Sequence, residues 1–303
     1  MIFDCNGGFL VPECNPQGTL SISKNCNYTI QNNEAILNYQ LTVSNIGNAR
    51  LDNVQFRDVL TIPNNFTLGN IIVTPGNLTV NTLLPGEIII SGNLGNIDPS
   101  QVVNINYIIP ITAIEVPGIY RISNTAQASA TDTEATATCT TTLNAVQINT
   151  TKCCQITDTN TGEFQVTLSS VGQSPSTTVD IVDNIFIPSG VTLRFTSFDG
   201  CTATFANSQE IVPVNTDLVG PLRINIVCNN ISIPSGGSIK KTIKFTVVST
   251  SVFNQVSIQN TVESVTPTSS DNQIFLGAGV FPIEADITVE ASLGCTTPCS
   301  LEL

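Results

Sequence analysis

The sequence predicts an all-β protein made of two tandem antiparallel, Ig-like β-sandwiches. Three observations support this: strand-like alternation without helical periodicity, an internal repeat, and a length of 303 residues, which suits two domains with a core each. The chain is rich in Thr, Val, Ile and Asn, and Gly and Pro mark its turns. Many short strands separated by turn residues are typical of antiparallel sandwiches.

The strands are marked, in order along the chain, by runs of β-branched residues alternating with polar ones. Such alternation places one face of a strand in the core and the other in solvent. The clearest runs are 36–44, 54–59, 103–111, 164–169, 239–248 and 255–262.

The repeat sets the domain layout. "YQLTVSNIGN", from Tyr39, matches "FQVTLSSVGQ", from Phe164, at an offset of 164 − 39 = 125 residues. The same offset carries Gly47 onto Gly172. A register held over this many positions predicts two copies of one structural unit.

Each copy has an opening strand. Lys24 and Cys26 end the first opening strand, and Lys152 and Cys153 end the second. We therefore expect an N-terminal arm over 1–17, a first sandwich over 18–143, a second over 144–285, and a C-terminal strand with a cysteine tail over 286–303.

The C-terminal strand repeats the opening pattern a third time. Ile287 and Val289 alternate with polar residues, and Cys295 follows. One interpretation is that these two residues complete the sheet of a neighbouring molecule, since strand addition is a known mode of recognition. The alternative is that the strand closes its own second sandwich.

Several stretches resemble a known domain family. "LNYQLTVSNIGNARLDNVQFRDVL", the "PGE" at 85–87 and "SNTAQASA", from Ser123, resemble the conserved-repeat β-sandwich domain of unknown function. That domain occurs in tandem on bacterial and archaeal surface proteins. The resemblance covers most of 18–143 and, more weakly, 144–285, where the "PGE" is missing.

The tandem, cysteine-rich arrangement also resembles the subunits of clostridial spore appendages. These resemblances imply a β-sandwich fold and a place on a cell or spore surface, and they imply no chemistry.

Composition argues against several classes of function. A net charge of −13 disfavours nucleic acid and anionic membrane as partners, because phosphates need a basic face. The apolar run 274–283 is too short and too interrupted to span a bilayer. The sequence has no histidine and no recognisable catalytic or cofactor motif, so we expect neither an enzyme nor a cofactor.

The ten cysteines indicate disulfides and an oxidising, extracellular location. Within the chain we favour Cys201 with Cys228, and Cys26 with Cys139. The other six are candidates for bonds between molecules: Cys5, Cys14, Cys153, Cys154, Cys295 and Cys299. The alternative is that all ten pair within one chain. Zinc is disfavoured because paired C-x-x-C spacing is missing.

Lysine, asparagine and aspartate also recur at equivalent positions. Lys24 with Asn124, and Lys152 with Asn260, are candidates for intramolecular isopeptide bonds. Asp58 and Asp183 each precede a proline by five residues. We expect these two carboxylates to pin the loop that follows, since Asp readily bonds backbone in turns.

The first functional hypothesis is a structural subunit of an extracellular, disulfide-cross-linked filament, such as a spore appendage or pilus-like fibre. Its partners would be copies of itself and a spore-coat or cell-surface anchor protein. The alternative is a monomeric surface or spore-coat module that binds or spaces, with its disulfides inside the chain. An enzyme is the third hypothesis, without a site to support it.

Overall fold

The computed structural model describes residues 17–32, 34–84, 86–251, 254–268, 272–290 and 292–300. Over these ranges the chain forms strands, turns and bends without a helix, which confirms the all-β prediction. Accordingly, the described part of the chain contains no helix that could cross a membrane.

The strands are numbered in chain order. They are β1 Leu20–Gln31, β2 Glu34–Asn45, β3 Leu51–Thr61, β4 Phe66–Leu68, β5 Ile72–Thr74, β6 Thr79–Leu84, β7 Glu87–Ile97, β8 Val102–Ile114, β9 Gly118–Ala130, β10 Thr133–Asp158, β11 Thr161–Ser170, β12 Thr177–Ile187, β13 Val191–Ser197, β14 Thr202–Phe205, β15 Asp217–Val219, β16 Leu222–Ile233, β17 Ser238–Thr250, β18 Val256–Pro267, β19 Ile274–Gly277, β20 Ile283–Val289 and β21 Leu293–Cys295.

The described residues fall into two compact units. The first unit comprises the chain up to Val116 together with Tyr120–Leu143. The second comprises Pro117–Ile119 and the chain from Asn144 onward. The 26-residue strand β10 contributes its first part to the first unit and its second part to the second unit.

The first unit is a sandwich of two antiparallel sheets. One sheet has the order β1-β2-β8, with the short strands β4 and β5 both beside β8. The other has the order β10-β9-β3-β7-β6, in which β10 takes part with its first portion. Tyr39 and Tyr107 are buried where β2 pairs with β8.

The second unit repeats the central strand order of both sheets and adds strands at their edges. One sheet runs β15-β13-β17-β11-β10 and the other β14-β16-β12-β18-β20-β21, while β19 adds a short parallel pairing to β10. Along β12 every second residue is fully buried, as the alternating sequence predicts. The core holds Phe164, Phe195 and Phe245 together with aliphatic side chains from both sheets.

The repeated glycine has a physical reason in each unit. A Cβ added to Gly47 would lie 2.2 Å from the backbone oxygen of Gln17. Gly172 has a φ of +57°, in the left-handed region that glycine adopts most easily. The turn after β2 and after β11 therefore requires glycine for two different reasons.

The C-terminal strand β20 lies in its own unit. It pairs antiparallel with β18, from Val256 opposite Val289 to Val262 opposite Ile283. Ile287 and Val289 are 0% and 1% exposed in the core of the second unit. In place of the expected donation to a neighbouring molecule, the structure uses both residues to close the second sandwich.

The physical reason is that β20 is the equivalent of the first part of β10. That part of β10 lies beside β9 in the first unit, as β20 lies beside β18 in the second. Pairing within the chain avoids the free energy that association with another molecule costs. The described residues between 286 and 300 thus belong to the second unit instead of forming a separate segment.

Candidate functional site

The candidate site of the second unit is a buried cluster of lysine, aspartate and asparagine. Lys152 lies on β10, in one sheet, while Asp183 on β12 and Asn260 on β18 lie on neighbouring strands of the facing sheet. Asp183 pairs with Val262, and Asn260 with Ile185. Asp183 and Asn260 are therefore diagonal neighbours on the inner face of their sheet, and Lys152 reaches them across the core.

One carboxylate oxygen holds the cluster together. The Lys152 ammonium donates to Asp183 Oδ1 at 2.6 Å, and the Asn260 amide donates to the same oxygen at 2.8 Å. The Asn260 amide also donates to the backbone oxygen of Asn184 at 2.9 Å. A lysine amine and an asparagine amide are thus held side by side on one acceptor.

Burial sets the protonation of the cluster. The Lys152 side chain is 0% exposed and that of Asp183 is 2% exposed. Burial lowers the pKa of Lys152 to about 8, against the opposing charges of Asp183 and Glu263. Burial likewise raises the pKa of Asp183, against the opposing effect of Lys152. Both shifts lower the free energy of the neutral amine and the protonated carboxyl group relative to the ion pair.

Two buried oxygens of this cluster are without a hydrogen-bond partner. They are Asp183 Oδ2 and Asn260 Oδ1. Leaving a buried acceptor unpaired costs about 1–3 kcal/mol. Such groups in a folded protein call for an explanation.

The first unit carries an equivalent cluster with a different connection. Lys24 on β1 donates to both oxygens of Asp58 on β3, at 2.5 and 2.6 Å. The Tyr107 hydroxyl donates to Asp58 Oδ2 at 2.5 Å, and the amide of Asn124 on β9 donates to that hydroxyl. Asn124 therefore reaches the carboxylate through a tyrosine. Burial lowers the pKa of Lys24 to about 8.

The sequence explains this difference between the units. Tyr39 pairs with Tyr107 in the first unit, and their rings stack with centroids 4.7 Å apart. The equivalent pair in the second unit is Phe164 with Ile243, which has no hydroxyl group. The Asn260 amide therefore meets the Asp183 carboxylate directly.

The structure holds Lys152 and Asn260 on one oxygen of Asp183, whereas it links Lys24 to Asn124 only through Asp58 and Tyr107. The aspartates of both clusters were expected to pin the loops that follow them. Asp58 and Asp183 instead lie inside strands, buried, as the partners of the lysines. The available signal was their shared offset of 125 residues with the rest of the repeat.

Two disulfides lie inside the units as favoured from sequence. Cys26 bonds Cys139, joining β1 to β10 across the first sandwich. Cys201 bonds Cys228 in the second unit, with Cα atoms 4.3 Å apart.

Four other cysteines, expected to bond other molecules, are paired within the chain. Cys153 bonds Cys299, and Cys154 bonds Cys295. The tail turns back after β20 as β21 and runs along β10, where the Cys154 amide donates to the Thr297 carbonyl at 2.9 Å. This return brings both tail cysteines to β10, which replaces the expected bonds between molecules. Cys5 and Cys14 lie outside the described residues.

The opening strand of each unit is fastened to the facing sheet at equivalent places. Cys26 comes two residues after Lys24, and Cys154 comes two residues after Lys152. Each of these cysteines is bonded to the closing region of the other sheet, through Cys139 on β10 or Cys295 on β21. The structural equivalent of Cys26 is thus Cys154, where sequence comparison placed Cys153.

In the described part of the chain, no group of three or more His, Cys, Asp or Glu side chains is placed to hold a metal ion.

Comparison with solved structures returns bacterial surface proteins. The C-terminal domain of the Streptococcus agalactiae antigen I/II polypeptide BspA has 11% identity and a TM-score of 0.35, covering 92% of this chain and 100% of that one. Domains D2 and D3 of the major pilin SpaD of Corynebacterium diphtheriae have 7% identity and a TM-score of 0.34, covering 88% and 99%. The major pilin subunit BcpA of Bacillus cereus has 12% identity and a TM-score of 0.30, covering 89% and 66%.

Similarity at this level carries no argument about what the present chain does. No family model and no curated protein matches the sequence.

Proposed function

We propose that this protein is an extracellular structural module, in which two internally fastened β-sandwiches serve as durable building units at a cell or spore surface. The observation that carries the proposal is the equivalent disulfide in each unit, which joins the opening strand to the closing region of the facing sheet. Disulfides persist in oxidising surroundings and are rare in the cytosol of most cells.

The position of the buried polar groups supports a structural role over an enzymatic one. The side chains of Lys24 and Lys152 are 0% exposed inside their sandwiches. A catalytic site for an external substrate needs a cleft that the substrate can enter. Within each cluster the side chains contact one another, and their burial leaves no access for a second molecule.

The proposal is tested by trapping free thiols in the native cell or spore and by labelling its surface. We expect antibodies to label the intact surface. We also expect no alkylation of Cys26, Cys139, Cys153, Cys154, Cys201, Cys228, Cys295 or Cys299 before reduction. Alkylation of these cysteines in a cytosolic fraction, without surface labelling, would overturn the proposal.

A second candidate function is a subunit of a filament. It is favoured by Cys5 and Cys14, which the sequence places on the arm ahead of both sandwiches. Strand β20 pairs with β18, and the tail cysteines bond cysteines of the same chain. Disulfides between copies would therefore form through Cys5 and Cys14 of this arm. An arm with two cysteines can bond the arms of two different copies, and contacts that do not close on themselves generate filaments.

The two candidates are separated by electron microscopy and non-reducing gel electrophoresis of the wild type and a Cys5→Ser/Cys14→Ser variant. A filament subunit gives thiol-sensitive multimers in the wild type and loses them in the variant. A monomeric module gives monomers in both proteins, with or without reductant.

A further inference from the structure

We propose that Lys152 and Asn260 condense into an isopeptide bond inside the second unit, with Asp183 carrying the proton that the reaction moves. The inference rests on the side chains of this unit. It holds whether or not the protein acts at a surface.

The geometry brings the reacting groups together. The Lys152 amine lies 2.6 Å and the Asn260 amide nitrogen 2.8 Å from the same oxygen of Asp183. The nucleophile and the leaving nitrogen therefore both contact one proton carrier. Two groups that contact one oxygen are confined to the same small volume, so their reaction is intramolecular, which corresponds to a very high local concentration.

The environment favours the reactive protonation states. A lysine amine attacks a carbonyl carbon only when it is neutral, and the pKa of Lys152 is lowered by burial. Burial also raises the pKa of Asp183, so the carboxyl group is a ready acceptor for the proton that lysine gives up. Moving this proton replaces two buried charges by a neutral pair, which a low-dielectric interior stabilises.

The reaction balances without any other reagent. The neutral Nζ of Lys152 attacks Cγ of Asn260 and forms the new C–N bond, while the protonated Asp183 donates its proton to the amide oxygen. Asp183 next takes a proton from the attacking nitrogen and passes one to Nδ2 of Asn260. The Cγ–Nδ2 bond then breaks, ammonia leaves, the carbonyl re-forms and Asp183 is protonated again.

The two unpaired oxygens fit this role. Asp183 Oδ2 and Asn260 Oδ1 are buried acceptors without a donor. A proton on Asp183 Oδ2 makes this atom a donor, which is the group that the Asn260 amide oxygen lacks. A donor at the amide oxygen also stabilises the negative charge that develops there during attack.

The first unit provides an internal comparison. There the Tyr107 hydroxyl stands between Asn124 and Asp58, and Lys24 bonds both oxygens of Asp58. The amide does not share an oxygen with the amine, as it does in the second unit. We therefore expect Lys24 and Asp58 to remain a non-covalent ion pair.

The bond is tested by intact mass spectrometry of the full chain after complete reduction and alkylation of its cysteines. We expect the wild type to be lighter than its sequence by one ammonia. Lys152→Met and Asp183→Asn should restore the full mass, since one removes the nucleophile and the other the proton carrier. The matched control Lys24→Met, in the first unit, should keep the deficit of one ammonia.

Peptide mapping of the wild type tests the bond without any variant, and so it also serves if a variant does not fold. Trypsin cuts after lysine, so an acylated Lys152 blocks one cleavage and joins peptide 122–194 to peptide 245–303. Finding this branched species supports the proposal. Finding full mass, or free peptides 122–152 and 153–194, overturns it.

Two further outcomes are informative. A deficit that maps to a succinimide at another asparagine, without the branched peptide, overturns the proposal. A second ammonia lost through a Lys24–Asn124 bond would support the chemistry of the Lys–Asp–Asn cluster and overturn the part assigned to Tyr107.

Discussion

Each sandwich buries one lysine that is paired with an aspartate. A charged amine inside a core is strongly destabilising unless a carboxylate and further hydrogen bonds compensate it. The first unit compensates Lys24 with both oxygens of Asp58, whereas the second shares one oxygen of Asp183 between Lys152 and Asn260. One hydroxyl group, on Tyr107, separates a stable ion pair from a cluster poised to react.

The ion pair of the first unit leads to a prediction on stability. Asp58→Ala leaves Lys24 buried and unpaired, so we expect the unfolding free energy of this unit to fall by about 3–5 kcal/mol. The calorimetric melting temperature of one transition should drop by on the order of ten degrees. An unchanged melting temperature would contradict the assignment of the pair as a buried one.

An exposed ion pair of nearly the same length provides the control. Arg194 donates to Asp217 at 2.7 Å, with both side chains more than 40% exposed. Asp217→Ala should change the melting temperature little, since solvent already screens this pair. Similar losses for Asp58→Ala and Asp217→Ala would mean that burial is not what matters.

At the scale of residues, the sequence predicted which polar residues recur at equivalent positions better than it predicted which side chains they contact. Lys24 and Lys152, and Asn124 and Asn260, were found because each pair recurs in equivalent strands. The contact with Asp58 and Asp183 was missed because it depends on diagonal pairing between strands and on reach across the core. Neither can be read from spacing along one strand.

At the scale of elements, the strand β20 shows why the alternation of residues in a strand does not determine which strand it pairs with. The alternation of Ile287 and Val289 predicted a half-buried strand, and the structure contains one. The same alternation suits any sheet edge beside an apolar surface, in the same molecule or in another. Pairing within the same molecule is supported by the tail, which returns to β10 and is bonded there to cysteines more than 140 residues earlier in the sequence.

The two disulfides that hold this tail should depend on each other. Cys153–Cys299 and Cys154–Cys295 close nearly the same long loop, with separations of 146 and 141 residues. With one bond present, the other closes only a small ring, so removing either pair should cost about 2 kcal/mol. Removing both opens the long loop as well and should cost about 6–7 kcal/mol.

This prediction is measured by urea unfolding of three variants, in which either pair or all four cysteines are replaced by serine. The loss for the four-cysteine variant should exceed the sum of the two single-pair losses. Strictly additive losses would mean that the two bonds do not close a common loop.

At the scale of the whole molecule, the repeat predicted two units with a boundary near residue 143, and the structure divides there. The composition could not predict how the closing region of each unit is fastened. The first unit uses the continuing strand β10, through Cys139, while the second uses a returning tail, through Cys295. The chain takes a different path after the equivalent strands of the two units. Only the fold shows that both disulfides join the opening strand to the facing sheet.

The disulfides of the returning tail also determine which part of the chain would bear a stretching force. The polypeptide passes Cys153 and Cys154 soon after it enters the second unit, and it passes Cys295 and Cys299 as it leaves. A force applied along the backbone would be transmitted through these two disulfides. The intervening segment, which carries most of the hydrophobic core of the second unit, would bear no force until a reducing agent cleaved these disulfides.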